Sequence, residues 1–298
     1  MRRETTMTEY ENAVEINGIT KRYDGFTLDN VSFRVPKGSI MGFIGQNGAG
    51  KTTTIRALLN IIGIDSGEIR LLGLDYIGDE YAIKERIAVV FDELPFHDSF
   101  TGEALSKMFS GLYGSWDKAE FFRLCEKLGL PMKKKLSKFS KGMKMKMQIA
   151  TALSHNAELL IMDEATTGLD PIVRNEILDI FREYLMDGNR SILMSSHITS
   201  DLEKIADCVS FIDKGKILIA GCKDDILEAH GVIRCTREEY AEIDPADYIS
   251  ARLNDFGAEM MVADRKAAEK KYSGATIEKT TLEEIMLYYV NRDKKEWS

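Results

Sequence analysis

Residues 45–52 read GQNGAGKT and stand between the apolar run SIMGFI (39–44) and the segment TTTIRALLNII (52–62). Gly45, Gly50, Lys51 and Thr52 match the spacing G-x-x-x-x-G-K-[ST], with Gln46, Asn47, Gly48 and Ala49 filling the interval. In that pattern the chain curls around a polyphosphate and aims successive backbone N–H groups at its oxygens, a path that glycine follows most cheaply. Ile55, Leu58, Leu59 and Ile62 recur at helical spacing, so Thr52–Ile62 is expected to be a helix with its positive dipole end beneath the phosphates. Lys51 then meets the β- and γ-phosphates, the Thr52 hydroxyl meets Mg²⁺, and Thr53 belongs to the same binding set. Strand, loop and helix follow in the order the motif needs, which an incidental glycine-rich turn would not require.

The chain around this loop has 298 residues, 44% of them hydrophobic, enough for one large domain plus a small one. No window approaches the roughly 18 uninterrupted apolar residues of a membrane span. MRRETTMTEYENAVEI has no apolar core behind its arginines and does not read as a secretory signal. Cys125, Cys208, Cys222 and Cys235 are scattered without a CxxC pair, which fits reduced thiols in the cytosol better than a disulfide frame or a zinc site. A net charge of −8 argues against broad attraction to nucleic acid or anionic lipid. One exception, KKKLSKFSKGMKMK, places seven lysines between Lys133 and Lys146 and reads as a solvated helix face with its preceding loop.

Strand patterns fall at Val14–Ile19, Val31–Val35, Ile40–Ile44, Glu68–Leu72, Ile87–Phe91, Leu159–Met162, Ser191–Met194, Val209–Ile212 and Lys216–Ile219. Helical patterns fall at Thr101–Tyr113, Lys118–Leu128, Lys141–Ser154, Ile172–Met186 and Ser200–Ala206. The alternation predicts an α/β domain, and the uniformly apolar LLIM and SILM predict strands covered by helices on both faces. Between Glu80 and Leu153 helices are expected to cluster without intervening strands, as an insertion in the α/β core.

A phosphate loop needs a second motif to hold the metal and activate water. Leu159–Met162 runs into Asp163 and Glu164. The first acid would orient Mg²⁺, directly or through water, and the second would polarise the attacking water as general base.

Three further stretches make a resemblance specific. Phe139-Ser140-Lys141-Gly142-Met143 is similar to the LSGGQ signature of the ATP-binding cassette (ABC) family, and Thr167-Gly168-Leu169-Asp170 looks like that family's D-loop. His197 ends the strand SILMSS, where the family places its switch histidine. The motifs cover most of residues 14–220, and the chain resembles an ABC-type ATPase, most closely the bacterial antibiotic exporters of the bacitracin and daunorubicin type. The resemblance implies an α/β P-loop NTPase with an antiparallel β subdomain, a helical subdomain and a small C-terminal α+β extension. The nucleotide-binding domain would span residues 1–230, with its helical insertion at about 93–155, and the accessory extension residues 231–298. ATP and Mg²⁺ are the implied ligands, the metal being held by Thr52, Asp163 and the residue at position 92. Two cassettes would pack head to tail, each ATP lying between the phosphate loop of one and Ser140, Lys141, Gly142 and Met143 of the other. His197 would contact the γ-phosphate and the attacking water, and Tyr23, in KRYDGF, matches the aromatic that stacks on adenine.

The resemblance also implies two partners, a separate membrane-spanning permease and a second ABC ATPase subunit that is either a copy or a paralogue. It places the chain in the cytoplasm, peripheral at the inner face of the cell membrane, with no nucleic acid expected. Helices between Thr101 and Leu128 would dock the permease, with exposed aromatics such as Phe96, Phe100, Tyr113 or Trp116 as contacts. The alternative is a soluble ABC ATPase acting on ribosomes or DNA. Against it, only one cassette is present, and Lys51 and Asp163 stand 112 positions apart (163 − 51), too close for a long coiled coil between them.

Departures from the family pattern are informative. Where the family usually has a glutamine that ligates Mg²⁺, this chain has Asp92, a harder oxygen donor on a shorter stem, followed by Glu93, and either acid could serve. Lys141 replaces a glycine and Met143 a glutamine in the signature; the Lys141 ammonium could reach the partner's phosphates or point to water. After GKILIAGCKDDILEAHG (215–231) the chain changes character. There Asp247–Phe256 and Leu282–Val290 read as helices, the second opened by Thr281 and acids in its first turn, and the extension is expected to serve packing or dimer stability.

Overall fold

The computed structural model describes residues 10–294 and 296–297; residues 1–9, most of the stretch read above as no secretory signal, lie outside them. In chain order the first half comprises β1 (Asn12–Tyr23), β2 (Phe26–Pro36), β3 (Ile40–Ile44), α1 (Lys51–Leu58), β4 (Ser66–Leu71), β5 (Leu74–Asp75), α2 (Glu80–Arg86) and β6 (Ile87–Phe91). Three helices follow, α3 (Gly102–Leu112), α4 (Lys118–Lys127) and α5 (Lys141–Leu153). The chain then alternates through β7 (Leu159–Asp163), α6 (Pro171–Tyr184), β8 (Ser191–Ser196), α7 (Thr199–Ile205), β9 (Cys208–Asp213), β10 (Lys216–Cys222) and α8 (Lys223–Ala229).

These elements build two sheets. β2-β1-β4-β5 is antiparallel, and in β2 Val31, Phe33 and Val35 point into the core while Ser32 and Arg34 face water, the period of a sheet covered on one side. The second sheet runs β10-β9-β3-β8-β7-β6, parallel except for β10. Helices α3 to α7 cover one face, but the other is covered by α1 and the antiparallel sheet rather than by helices alone, Phe33 of β2 stacking on Phe43 of β3 at 4.9 Å; β3, β7 and β8 are thus buried at every residue. Because β3, β8 and β7 are neighbours and parallel, their C-terminal ends open on one edge, where ligands of such sheets bind.

The residues after α8 form a third sheet, β14-β11-β13-β12-β15, from β11 (Gly231–Cys235), β12 (Ala251–Asn254), β13 (Gly257–Val262), β14 (Thr276–Glu278) and β15 (Glu296–Trp297). With it go α9 (Arg237–Tyr240), α10 (Arg265–Lys271) and α11 (Leu282–Val290). α11 packs on α7, and Leu282 and Ile285 join Leu202 and Ile205 in one buried cluster, so this segment shares the main core. Burial pushes the Cys125 thiol in α4 up to about 12, consistent with an inert reduced cysteine.

Four expectations are corrected. The helical run between Glu80 and Leu153 is interrupted by β6, so the all-helical stretch begins only after Phe91. α1 stops at Leu58: Asn60 takes φ 52° and the Ile61 N–H returns to the Arg56 carbonyl (2.9 Å), a left-handed helix end. Asp247–Phe256 is not a helix. Pro245–Asp247 makes one 3₁₀ turn, and Ala251–Asn254 pairs with β13, the Asn254 side chain closing the turn onto the N–H groups of Phe256 and Gly257 (2.8 and 3.0 Å). Strand pairing, with β13 across this tight turn and with the distant β15 on the other edge, overrode the local helical pattern. Finally, Phe96, Phe100, Tyr113 and Trp116 are partly buried rather than exposed, Trp116 stacking on Phe109 at 5.3 Å.

Candidate functional site

The loop from Gly45 to Gly50 leaves β3 and enters α1. Gly48 and Gly50 take φ 80° and 116°, where a side chain would be strained. A Cβ on Gly45 would lie 2.5 Å from the Ile212 carbonyl oxygen, so glycine there lets the loop pass close to β9. Ala49 is buried beneath the loop and gives its carbonyl to Gly215 N–H (2.8 Å). Lys51, the first residue of α1, folds back under the loop and donates to the Gly45 and Gln46 carbonyls (2.6 and 3.2 Å). Its ammonium also stands 2.9 Å from Glu164 Oε1. Above it opens a cavity of about 400 Å³, lined by Gln46, Asn47, Gly48, Gly50, Lys51, Thr52, Thr53, Glu164 and Phe26.

Glu164 follows β7 in the left-handed region at φ 54°. Its N–H is held by the Ser195 carbonyl and hydroxyl (3.2 and 3.1 Å), which stabilises the unusual conformation and fixes where the carboxylate points. Oε2 accepts from the Thr167 hydroxyl (2.8 Å) and meets His197 Nδ1 at 2.7 Å. Burial favours the protonated acid, but the hydrogen bonds and charge from Lys51, Thr167 and His197 outweigh it, and the carboxyl is held below its usual range. Facing an ionised carboxylate, Nδ1 is the ring nitrogen that carries the proton. Asp163, the last residue of β7, is buried and accepts the Ser195 hydroxyl at 2.6 Å.

The remaining expected residues stand elsewhere. Tyr23 is 46% exposed at the end of the β1–β2 hairpin, near Lys21, and does not line the cavity; Phe26, its cross-strand neighbour, does. Ser140 caps α5, its hydroxyl accepting from Met143 N–H (3.2 Å), and Gly142 backs onto Val173. Asp92 pairs with Lys141 at 2.8 Å, and both line a second cavity of about 600 Å³ together with Glu93 and Lys144. Asp170 caps α6, accepting from Ile172 and Val173 N–H groups (3.1 and 3.0 Å), with Pro171 at the first helical position.

Residues 28–167 match the ABC transporter family model. The bacitracin transport ATP-binding protein of Bacillus licheniformis is 37% identical over 208 residues, which cover 69% of this chain and 68% of that protein. The chain belongs to the ABC transporter ATPase family. The daunorubicin/doxorubicin resistance ATP-binding protein of Streptomyces peucetius is 32% identical over 230 residues, 75% of this chain and 69% of that one. A solved ATP-binding subunit of an ABC transporter superposes with a TM-score of 0.66 at 26% identity, covering 77% of this chain and 93% of that structure. The expected fold class is therefore the one found, and as a family member the chain binds and hydrolyses ATP.

Within this ABC ATPase, sequence reading missed Ser195, Thr167 in its contact with Glu164, and Phe26. Ser195 touches both acids at the end of β7, and the available signal was a Ser-Ser pair ending a buried apolar strand directly before His197. Gln148 on α5 was missed as well; its amide bonds both backbone groups of Phe91 (3.3 and 3.2 Å) and so ties α5 to the end of β6.

Proposed function

We propose that this ABC ATPase energises an exporter, closing around two ATP–Mg²⁺ with a second cassette and driving a separate membrane-spanning partner. The observation that carries the reading is the cluster of Lys51, Glu164 and His197 at the mouth of the phosphate loop, set just beyond the C-terminal ends of the neighbouring strands β3, β7 and β8. A triphosphate in the cavity competes with Glu164 for the Lys51 ammonium. As the cation turns to phosphate, Glu164 keeps Thr167 and His197, its proton affinity rises, and it becomes a better acceptor for the proton of an attacking water. The resemblance supports His197 as the group that links this carboxylate to the γ-phosphate.

The Thr52 hydroxyl and the Asp163 carboxylate are hard oxygen donors of the kind Mg²⁺ takes, and Ser195 fixes the second. When bound there, the metal would neutralise phosphate charge. Asp92 or Glu93 would complete the donor set, Asp92 only after leaving Lys141. Ser140 to Met143 begin α5, and free N–H groups at a helix start suit the γ-phosphate of a nucleotide held by the second cassette. Tyr23 is proposed to stack on adenine.

No helix among the described residues is long and apolar enough to cross a membrane, and the proposed permease is a separate chain. Its docking groove is proposed at a cavity of about 440 Å³ lined by Tyr76, Phe91, Phe96, Phe109, Tyr113 and His155, with Tyr113 stacked on His155 at 4.2 Å. The bacitracin-transport and daunorubicin-resistance relatives support export as the direction. Residues 231–298 are proposed to serve packing, supported by the core they share with α7. Affinity capture of the tagged chain from native membranes tests the reading: a polytopic membrane protein should accompany it and stimulate its ATPase. Recovery with ribosomes or DNA instead, or no MgATP binding at about millimolar concentration, would sink it.

A further inference from the structure

Two positions at which this chain departs from the family pattern touch each other: Lys141 Nζ lies 2.8 Å from Asp92 Oδ1. The contact belongs to a set. Lys141, Lys144 and Gln148 follow one another along α5 at helical spacing, and together they hold the end of β6 and the segment after it. Lys144 meets Asp98 at 3.1 Å, and Gln148 clamps the Phe91 backbone. The Lys141 side chain also crosses the D-loop, since a Cβ on Gly168 would sit 3.3 Å from its ammonium. One lysine thus joins the segment at 92, the signature and Thr167–Asp170.

The charges explain why Asp92 is there. α5 has no acid in its first turn and begins with Lys141, so a helix end that already favours an anion carries an added cation. Asp92 is the carboxylate that this end holds.

We infer that Asp92 and Lys141 work as one positioning pair: Asp92 retains the ammonium at the signature until the terminal phosphate of a nucleotide bound by a second copy takes it over, which releases Asp92. The inference rests on the paired-cassette reading above. Carboxylate and phosphate compete for one ammonium, so removing Asp92 makes Lys141 more available, and removing Lys141 makes Asp92 irrelevant. The side chains are 49% and 45% exposed, so the pair is screened and the effect is modest, about threefold to fivefold in ATP concentration.

The test is ATP-driven self-association of the full chain with Mg²⁺, followed by sedimentation velocity in a Glu164→Gln background that stops turnover. Asp92→Asn should lower the ATP midpoint about threefold to fivefold. Lys141→Met should raise it about tenfold, and the Asp92→Asn/Lys141→Met double variant should match Lys141→Met alone. Exchanging the charges, Asp92→Lys with Lys141→Asp, restores the ion pair and should recover the melting temperature of the nucleotide-free protein, yet association should be lost because a carboxylate now meets the phosphate. A purely structural pair would recover both. Unchanged midpoints, or an Asp92→Asn gain that persists without Lys141, overturn the hand-over while leaving the paired-cassette reading intact. ATP binding without any self-association overturns the reading that two copies of this chain pair, and the hand-over with it.

Discussion

Replacing Glu164 by glutamine separates two roles proposed for one carboxylate. Lys51 is 5% and Glu164 17% exposed at 2.9 Å separation, so solvent screens the pair poorly. Unit charges about 3 Å apart at an effective dielectric of ~20 attract by roughly 5–6 kcal/mol. Desolvation offsets most of this, leaving about 1–2 kcal/mol that a triphosphate must overcome to recruit the ammonium. Glutamine keeps the shape and can still accept from Thr167 but drops the charge. ATP should therefore bind about 5- to 30-fold more tightly, while hydrolysis falls by about 10²- to 10⁴-fold as the base is lost. Equilibrium titration with a fluorescent ATP analogue gives the first number, and single-turnover hydrolysis at saturating MgATP gives the second. Unchanged or weaker affinity would show that Glu164 does not compete for Lys51. Hydrolysis within tenfold of the original chain would remove Glu164 as the base.

Ser195→Ala removes a partner from Asp163 and from Glu164 N–H; it should cost about 1–2 kcal/mol in a denaturant melt and slow hydrolysis roughly tenfold with ATP binding retained. A full rate would show that Asp163 needs no such support. Tyr23→Ala should weaken ATP binding about tenfold without abolishing it, and a loss on Phe26→Ala alone would move the adenine platform to the cavity-lining ring. Burial foremost lowers the affinity of His155 and His230 for protons. The unfolded chain then binds more protons below about pH 6.5, so stability should fall as pH drops from there toward the lowered folded values. Glu158 and Glu164, whose carboxyls are also held low, extend the loss below their ordinary value of 4.5. Calorimetry between pH 8 and 5 should give a flatter limb for the His155→Gln/His230→Gln variant, and an equally steep one would assign the loss to other groups.

The parts of the fold legible in the sequence are those set by local rules. β3, β6 and α11 have the bounds their patterns gave, and α11 carries the reciprocal cap, Thr281 with Glu284, that its first turn advertised. The Lys51–Glu164–His197 cluster was assembled from motifs, each legible at the end of its own strand. What stayed hidden depends on which strands become neighbours. Ser195 reaches Asp163 only because β8 lies beside β7, and Asp92 meets Lys141 only because Gln148 ties α5 to the end of β6. Asp247–Phe256 was misread partly for the same reason, since β12 is held on one side by its hairpin with β13 and on the other by the distant β15. The sequence pointed to Tyr23 alone as the adenine platform, and Phe26 was missed because the hairpin that sets the two opposite each other is not legible locally.

Each end of the proposed ATP site is a lysine held by a carboxylate of its own chain, Lys51 by Glu164 at the phosphate loop and Lys141 by Asp92 at the signature. In the paired reading one triphosphate meets the first in one copy and the second in the other, so a single ligand opens both. Binding measured on one copy would then report only the exchange at Lys51, whereas the ATP midpoint of association would report both. The two ion pairs share no partner residue, so their free energies should add. Glu164→Gln and Asp92→Asn together should lower the association midpoint by about the product of their separate effects, on the order of 15- to 150-fold, as read by sedimentation at graded ATP. A combined gain no larger than that of Glu164→Gln alone would mean that the phosphate never reaches Lys141, and the signature would have to act through its backbone only.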